Sequence, residues 1–142
     1  DRVVEGLVLA ELSPWRMDLA TGPSGVRVLN DAYNANPTSM LAALGALADL
    51  DAERHTAVLG PMAELGAVSD DEHRRVADRA RELGIRLIAI GTEDYGGEVV
   101  ADLDEATVAL GRLDGGDAVL VKASRVAGLE RLAHRLLEGA GS

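Results

Sequence analysis

Three short runs of this sequence hold residue types that could do chemistry, and each falls where an apolar run gives way to polar residues. The densest is Asn30-Asp31-Ala32-Tyr33-Asn34-Ala35-Asn36-Pro37. A carboxylate such as Asp31 suits the hydroxyl pair of a ribose, and an amide such as Asn34 or Asn36 can both donate to and accept from a base or a peptide. One asparagine, Asn36, is also what a helix start uses as a cap, with Pro37 at the first helical position. A capped turn therefore explains part of the run, while Asp31, Tyr33 and Asn34 exceed that need. The second run is Lys122-Ala123-Ser124-Arg125. A lysine, a hydroxyl, an arginine and free N–H groups at a helix start can hold a carboxylate or phosphate; a serine cap with solvated flanking charges is the alternative. The third, Gly60-Pro61-Met62-Ala63-Glu64-Leu65-Gly66, is a glycine-bounded loop with one acid. Glu64 reads as a loop-bracing residue and His73 as a packing residue beside the loop. Arg16, behind Trp15, is either a phosphate hand or a solvated charge.

Other chemistries lack their parts. There is no Gly-x-x-x-x-Gly-Lys-Ser/Thr and no Gly-x-Gly-x-x-Gly, so neither common phosphate cradle is present. The single lysine, Lys122, follows an apolar run instead of opening a glycine-rich loop. The histidines His55, His73 and His134 form no metal-binding pair, and the chain has no cysteine, so no metal site of its own is expected. Ser39, Ser69 and Ser124 stand in no Gly-x-Ser-x-Gly elbow.

The elements that position these runs follow from hydrophobic period. Val26 to Asp31 reads as a strand entered through Gly22-Pro23-Ser24-Gly25, and a helix follows from Pro37 with Met40, Leu41, Leu44, Leu47 and Ala48 on one face. Thr56 to Gly60 is a second strand. Ser69-Asp70-Asp71-Glu72 is a capping box that opens a helix with Val76, Ala77, Ala80 and Leu83 inward and Gly84 as its stop. A strand from Ile85 to Gly91 comes next, then turn-rich residues 92–97, a short strand around Val99-Val100, and a helix from about Asp104 to Leu113. After Asp114-Gly115-Gly116 come a strand from Ala118 to Lys122 and a last helix to Glu138. Strands that alternate with helices and run apolar without interruption predict an α/β fold, a doubly wound, mostly parallel sheet with helices on both faces. Such sheets bind ligands outside the carboxyl ends of their strands, which is where all three runs fall. Residues 1–24, with Val4, Leu7, Val8 and Leu12 at helical spacing, read as a short amphipathic helix and a connector, leaving 25–142 as the domain proper.

Length and composition bound the answer. At 142 residues, 47% hydrophobic and 27% charged, the chain is one domain's worth and buries on the order of 70% of its unfolded surface. A net charge of −10 and only three aromatic residues argue against nucleic acid as a partner. No apolar run approaches the length of a membrane span. The absence of cysteine fits a reducing compartment. The chain opens on Asp1-Arg2 without a basic-then-apolar leader and is expected to belong to a longer protein.

Together, Trp15-Arg16-Met17, Asn30 through Met40, Val58 through Gly66 and Val121-Lys122-Ala123-Ser124-Arg125 with Leu129-Glu130 resemble the C-terminal domain of the Mur ligases, over nearly the whole chain. The resemblance implies a Rossmann-like domain, the third of three, in a cytoplasmic ATP-dependent ligase of peptidoglycan precursor synthesis. It places the ATP phosphate loop and the Mg2+ ligands in a missing central domain, the UDP-sugar site in a missing N-terminal domain, and leaves this fragment inactive alone. The Asp31-Ala32-Tyr33-Asn34-Ala35-Asn36-Pro37 string implies D-alanyl-D-alanine as the amine, joined to UDP-N-acetylmuramoyl-tripeptide through an acyl phosphate. By the same resemblance Arg16, Asp31, Tyr33 and Asn34 face ATP, while Asn36, Lys122, Ser124 and Arg125 take the dipeptide. Pro61 departs from the pattern, standing where the family more often carries an acid, and proline removes both the charge and an N–H. The alternatives are another Mur-type or folylpolyglutamate-type ligase domain, or a non-catalytic acidic α/β binding module.

Overall fold

Short apolar runs and helical stripes alternate along the chain, and the computed structural model shows how they stack; it describes residues 18–30, 37–60, 62, 69–122, 131, 132 and 136. In chain order they form β1 (Asp18–Thr21), β2 (Arg27–Asn30), α1 (Pro37–Ala48), β3 (Arg54–Leu59), α2 (Ser69–Glu82), β4 (Arg86–Ile90), β5 (Glu98–Val100), α3 (Leu103–Leu110) and β6 (Asp117–Lys122). Arg131, Leu132 and Leu136 are helical beyond β6. The strands make one sheet in the order β1-β2-β6-β3-β4-β5. Only β1 runs antiparallel to its neighbour; β2, β6, β3, β4 and β5 are parallel.

Two apolar layers sandwich this sheet. On one face Leu29, Ala57, Leu59, Ala118 and Leu120 pack under Met40, Ala43, Leu44 and Leu47 of α1 and Val76, Ala77 and Ala80 of α2. On the other, Val28, Val58, Ile88, Val119 and Val121 pack under Ala106 and Leu110 of α3, with Leu132 and Leu136. Because successive strand residues point to opposite faces, a strand covered on both sides must be apolar at every position. β6 is buried at all six positions and apolar at its four central ones, Ala118 to Val121, with Asp117 and Lys122 at its ends.

Several boundaries have local causes. α1 begins at Pro37, where a missing N–H costs nothing. α2 ends as its sequence requires: Gly84 takes φ +75°, its N–H returns to Arg81 O (3.1 Å), and the Ile85 N–H reaches Ala80 O (2.8 Å). α3 starts one residue earlier than expected because Asp102 caps it, accepting the Glu105 N–H (2.9 Å), and it ends three residues early at Gly111, φ +68°, whose N–H folds back to Thr107 O. The chief difference lies in residues 18–21, expected within a connector, which instead form the antiparallel edge strand β1, joined to β2 by the tight turn over Gly22–Gly25. Asp-Leu-Ala-Thr carries one branched residue and no alternation, so its pairing comes from the neighbouring strand and not from propensity. Gly25, at φ +93°, also lies so near Gly115 that a Cβ would stand 3.0 Å from that residue's Cα.

The amino end of the sheet is closed by charge. Arg54 and Asp117 open β3 and β6 at the same level, and Arg54 Nε donates to Asp117 Oδ1 at 2.8 Å. The Asp114 N–H donates to Asp117 Oδ2 at 2.9 Å. Burial by itself raises the Asp117 carboxyl, but the hydrogen bonds from Arg54 and the Asp114 N–H outweigh it and hold the group below its ordinary value. A depressed carboxyl gives stability that is present above the unfolded-state value and lost as pH falls through the folded-state one. The expected outcome is that urea midpoints drop as pH falls below about 4, and that Asp117→Asn, less stable at neutral pH, shows a shallower acid loss over the same window.

Candidate functional site

The carboxyl edge of the sheet has a built-in divergence. From Asn30 the chain leaves β2 for α1 on one face and enters β3 beyond β6; from Lys122 it leaves β6 for the opposite face, where Leu132 and Leu136 lie. The two exits are side by side, since Asn30 pairs with Val121. This is the crevice where open α/β sheets receive ligands. At its floor, Asn30 Oδ1 is buried with no hydrogen-bond donor among the described residues. An open acceptor there is where an incoming O–H or N–H gains a full hydrogen bond.

Of the residues selected from sequence, only Lys122 is described. It ends β6 wholly buried, on the α1 side of the sheet with Leu120. A completely enclosed lysine is rare among residue types. Arg16, Asp31, Tyr33, Asn34, Asn36, Ser124 and Arg125 lie outside the described residues, as do Pro61 and Glu64.

The neighbouring exit, from β3, is described through Met62. Leu59 pairs with Lys122, and the Gly60 N–H donates to Lys122 O at 3.0 Å. Pro61 has no N–H to satisfy. The Met62 N–H donates to His73 Nε2 at 3.0 Å. The Tyr95 hydroxyl, reaching over from the β4–β5 loop, donates to Gly60 O at 2.8 Å. His73 and Tyr95 meet edge to face, with centroids 4.8 Å apart and planes at 67°. Both are buried, at 1% and 4% exposure. His73 Nε2 accepts, so it carries no proton, and the ring is spent on the loop backbone as the sequence reading of a packing residue expects. Tyr95 was not singled out by that reading. Its signal was a lone aromatic in an otherwise polar and glycine-rich segment at a strand exit.

Among the described residues no three His, Cys, Asp or Glu side chains gather as a metal site, and no helix is long and apolar enough to cross a membrane.

Comparison with known proteins supplies the kinship. Residues 15–125 match the family described as Mur ligase, glutamate ligase domain. The chain belongs to the Mur ligase family. A UDP-N-acetylmuramoyl-tripeptide–D-alanyl-D-alanine ligase of Mycobacterium tuberculosis is 39% identical over 160 residues, covering 89% of this chain and 31% of its own length. Among solved structures, the MurF ligase of Thermotoga maritima in complex with ADP superposes with a TM-score of 0.75 at 26% identity, over 94% of this chain and 35% of that one. A MurF from Acinetobacter baumannii gives 0.76 at 28% identity, over 95% and 32%. This Mur ligase domain thus spans about a third of the length of the curated relatives it matches, and its sheet with helices on both faces is the Rossmann-like fold the sequence implied.

The Tyr95 contact makes a test. Burial, with a smaller contribution from the Asp94 carboxylate, pushes the phenol above its ordinary value, so it remains a donor through the neutral range. Tyr95→Phe leaves Gly60 O without that donor and is expected to cost about 1–3 kcal/mol in urea unfolding at neutral pH. A raised phenol gives stability present below the unfolded-state value and lost as pH rises through the folded-state one. The alkaline loss above about pH 10 should therefore be weaker in Tyr95→Phe than in the unaltered chain.

Proposed function

We propose that this chain is the C-terminal domain of a cytoplasmic, ATP-dependent ligase that joins D-alanyl-D-alanine to UDP-N-acetylmuramoyl-tripeptide in peptidoglycan precursor synthesis. The observation that carries the reading is the 39% identity, across 89% of the chain, to a relative named for that reaction. The family description leaves the amine open. The Asp31-Ala32-Tyr33-Asn34-Ala35-Asn36-Pro37 string and the relatives' name support the dipeptide.

A carboxylate is a poor electrophile, and ATP converts the tripeptide's terminal carboxylate into an acyl phosphate with release of ADP. The dipeptide's amine then attacks the acyl carbon, the C–O bond to phosphate breaks, and the amine proton is lost as the amide forms. This domain's task is to hold and to cover. Arg16 faces the phosphates and Asp31 the ribose, with Tyr33 and Asn34 beside them. Asn36, Ser124 and Arg125 take the dipeptide, whose carboxylate needs a cationic or N–H partner. Lys122, which ends β6 at the root of that turn, belongs to the same dipeptide-holding set. Closing this domain over its neighbours excludes water from the acyl phosphate. Magnesium and the phosphate loop belong to the central domain.

The experiment uses the full-length enzyme. Amide formation is expected with D-alanyl-D-alanine and not with meso-diaminopimelate, lysine or D-glutamate; preference for any of the last three overturns the assignment. Asp31→Ala and Arg16→Ala should each lower kcat/KM for ATP by about 30-fold or more. Unchanged ligation in both would favour a non-catalytic binding module.

A further inference from the structure

The exit from β3 is held more tightly than a loop of its length requires. Each hydrogen-bonding N–H from residue 60 to residue 62 is accounted for, and each bond goes to a different part of the fold. Gly60 N–H is tied to β6 through Lys122 O, and Met62 N–H to α2 through His73 Nε2. Gly60 O is tied to the β4–β5 loop through the Tyr95 hydroxyl. Two buried aromatic side chains with polar tips are committed to one turn of backbone, and they brace each other edge to face. For core filling alone, apolar rings would serve without the cost of burying a ring nitrogen and a hydroxyl. What the polar tips add is placement: the Gly60 carbonyl and the Met62 N–H are each tied to a buried side chain.

This turn adjoins the exit from β6. Leu59 stands opposite Lys122, and the Gly60 N–H bonds the carbonyl of Lys122 itself. The β2 exit lies on the other side of β6. A shift of the β3 exit is therefore felt first at the β6 exit, and only through β6 at the β2 exit.

We propose that His73 and Tyr95 are positioning residues of the ligase, a clamp that sets the β3 exit loop against the β6 exit and so shapes the side of the crevice that receives the amine substrate. The clamp rests on the functional reading above in its link to the amine, and on the geometry alone in its hold on the loop. It acts through backbone, without touching a reacting atom. His73 contributes an acceptor at Nε2 and Tyr95 a donor at its hydroxyl, and Tyr95→Phe deletes that donor while keeping the ring.

The test compares His73→Phe, Tyr95→Phe and His73→Gln in the full-length enzyme, with amide exchange at residues 58–62 as a readout independent of activity. His73→Phe should speed exchange at Met62 by about tenfold or more while Val58 and Leu59 stay protected. It should raise the KM for the amine about tenfold, with the KM for ATP within about twofold. Tyr95→Phe, which removes a single hydroxyl and keeps the core filled, should move the amine KM in the same direction by a smaller factor. His73→Gln, whose amide oxygen can accept the Met62 N–H, should recover most of the loss. Unchanged Met62 exchange in His73→Phe overturns the clamp. Faster exchange with an unchanged amine KM, or equal rises in the KM for amine and ATP, overturns its role in positioning. The unaltered enzyme is assayed first: if it prefers another amine, the substrate assignment falls, and the clamp is then judged on the KM of that amine.

Discussion

The arrangement of the carboxyl edge depends on a single insertion: β6, the last strand among the described residues, pairs with β2 on one side and β3 on the other over most of its length. No other strand among those described touches as much of the molecule. Its alternate residues feed both apolar layers, Ala118 and Leu120 one way, Val119 and Val121 the other. Because β6 parts β2 from β3, the chain leaving β2 must cross it by way of α1, while the chain leaving β6 turns to the opposite face. The crevice is the geometrical remainder of that crossing. Remove the insertion and the exits of β2 and β6 no longer diverge side by side.

The two ends of the sheet are treated differently. At the amino end polar groups satisfy one another: Arg54 with Asp117, Asp114 and Glu53, the Gly116 carbonyl with two N–H groups, and Arg86 with Glu98. The exposed pairs among these add little to stability on their own; their role is to fix where strands begin. At the carboxyl end the charged and polar side chains are mostly buried: Lys122 is enclosed, and His73 and Tyr95 bond the backbone of the β3 exit. Asn30 Oδ1 is buried there with no donor among the described residues.

Much of this was legible in the sequence because its signals are local. Ser69-Asp70-Asp71-Glu72 opens a helix and Gly84 ends it, the apolar runs at 57–59 and 118–121 are strands buried on both faces, and Pro37 starts a helix. What was not legible is non-local. Nothing in Asp18-Leu19-Ala20-Thr21 announces a strand until the edge of β2 is there to pair with it. The strand order is likewise invisible in periodicity. At the candidate site, the residue types at the exits pointed to the carboxyl edge of the sheet, where Asn30 and Lys122 end their strands, and His73, read as packing beside the 60–66 loop, is found bonded to Met62 there. Tyr95 was not, because its partner, the carbonyl of Gly60, is 35 residues away and carries no side chain to advertise the bond.

The place of β6 bears on how the molecule comes into being. During synthesis, β2 and β3 are made long before the segment that fills the gap between them, so each presents a bare edge, and the half-made sheet has a slot where its most buried strand belongs. Until residues 117–122 emerge, both apolar layers lack the β6 residues at their centre. Closure of the sheet therefore waits for β6, and a chain cut before residue 117 keeps the facing edges of β2 and β3 unpaired.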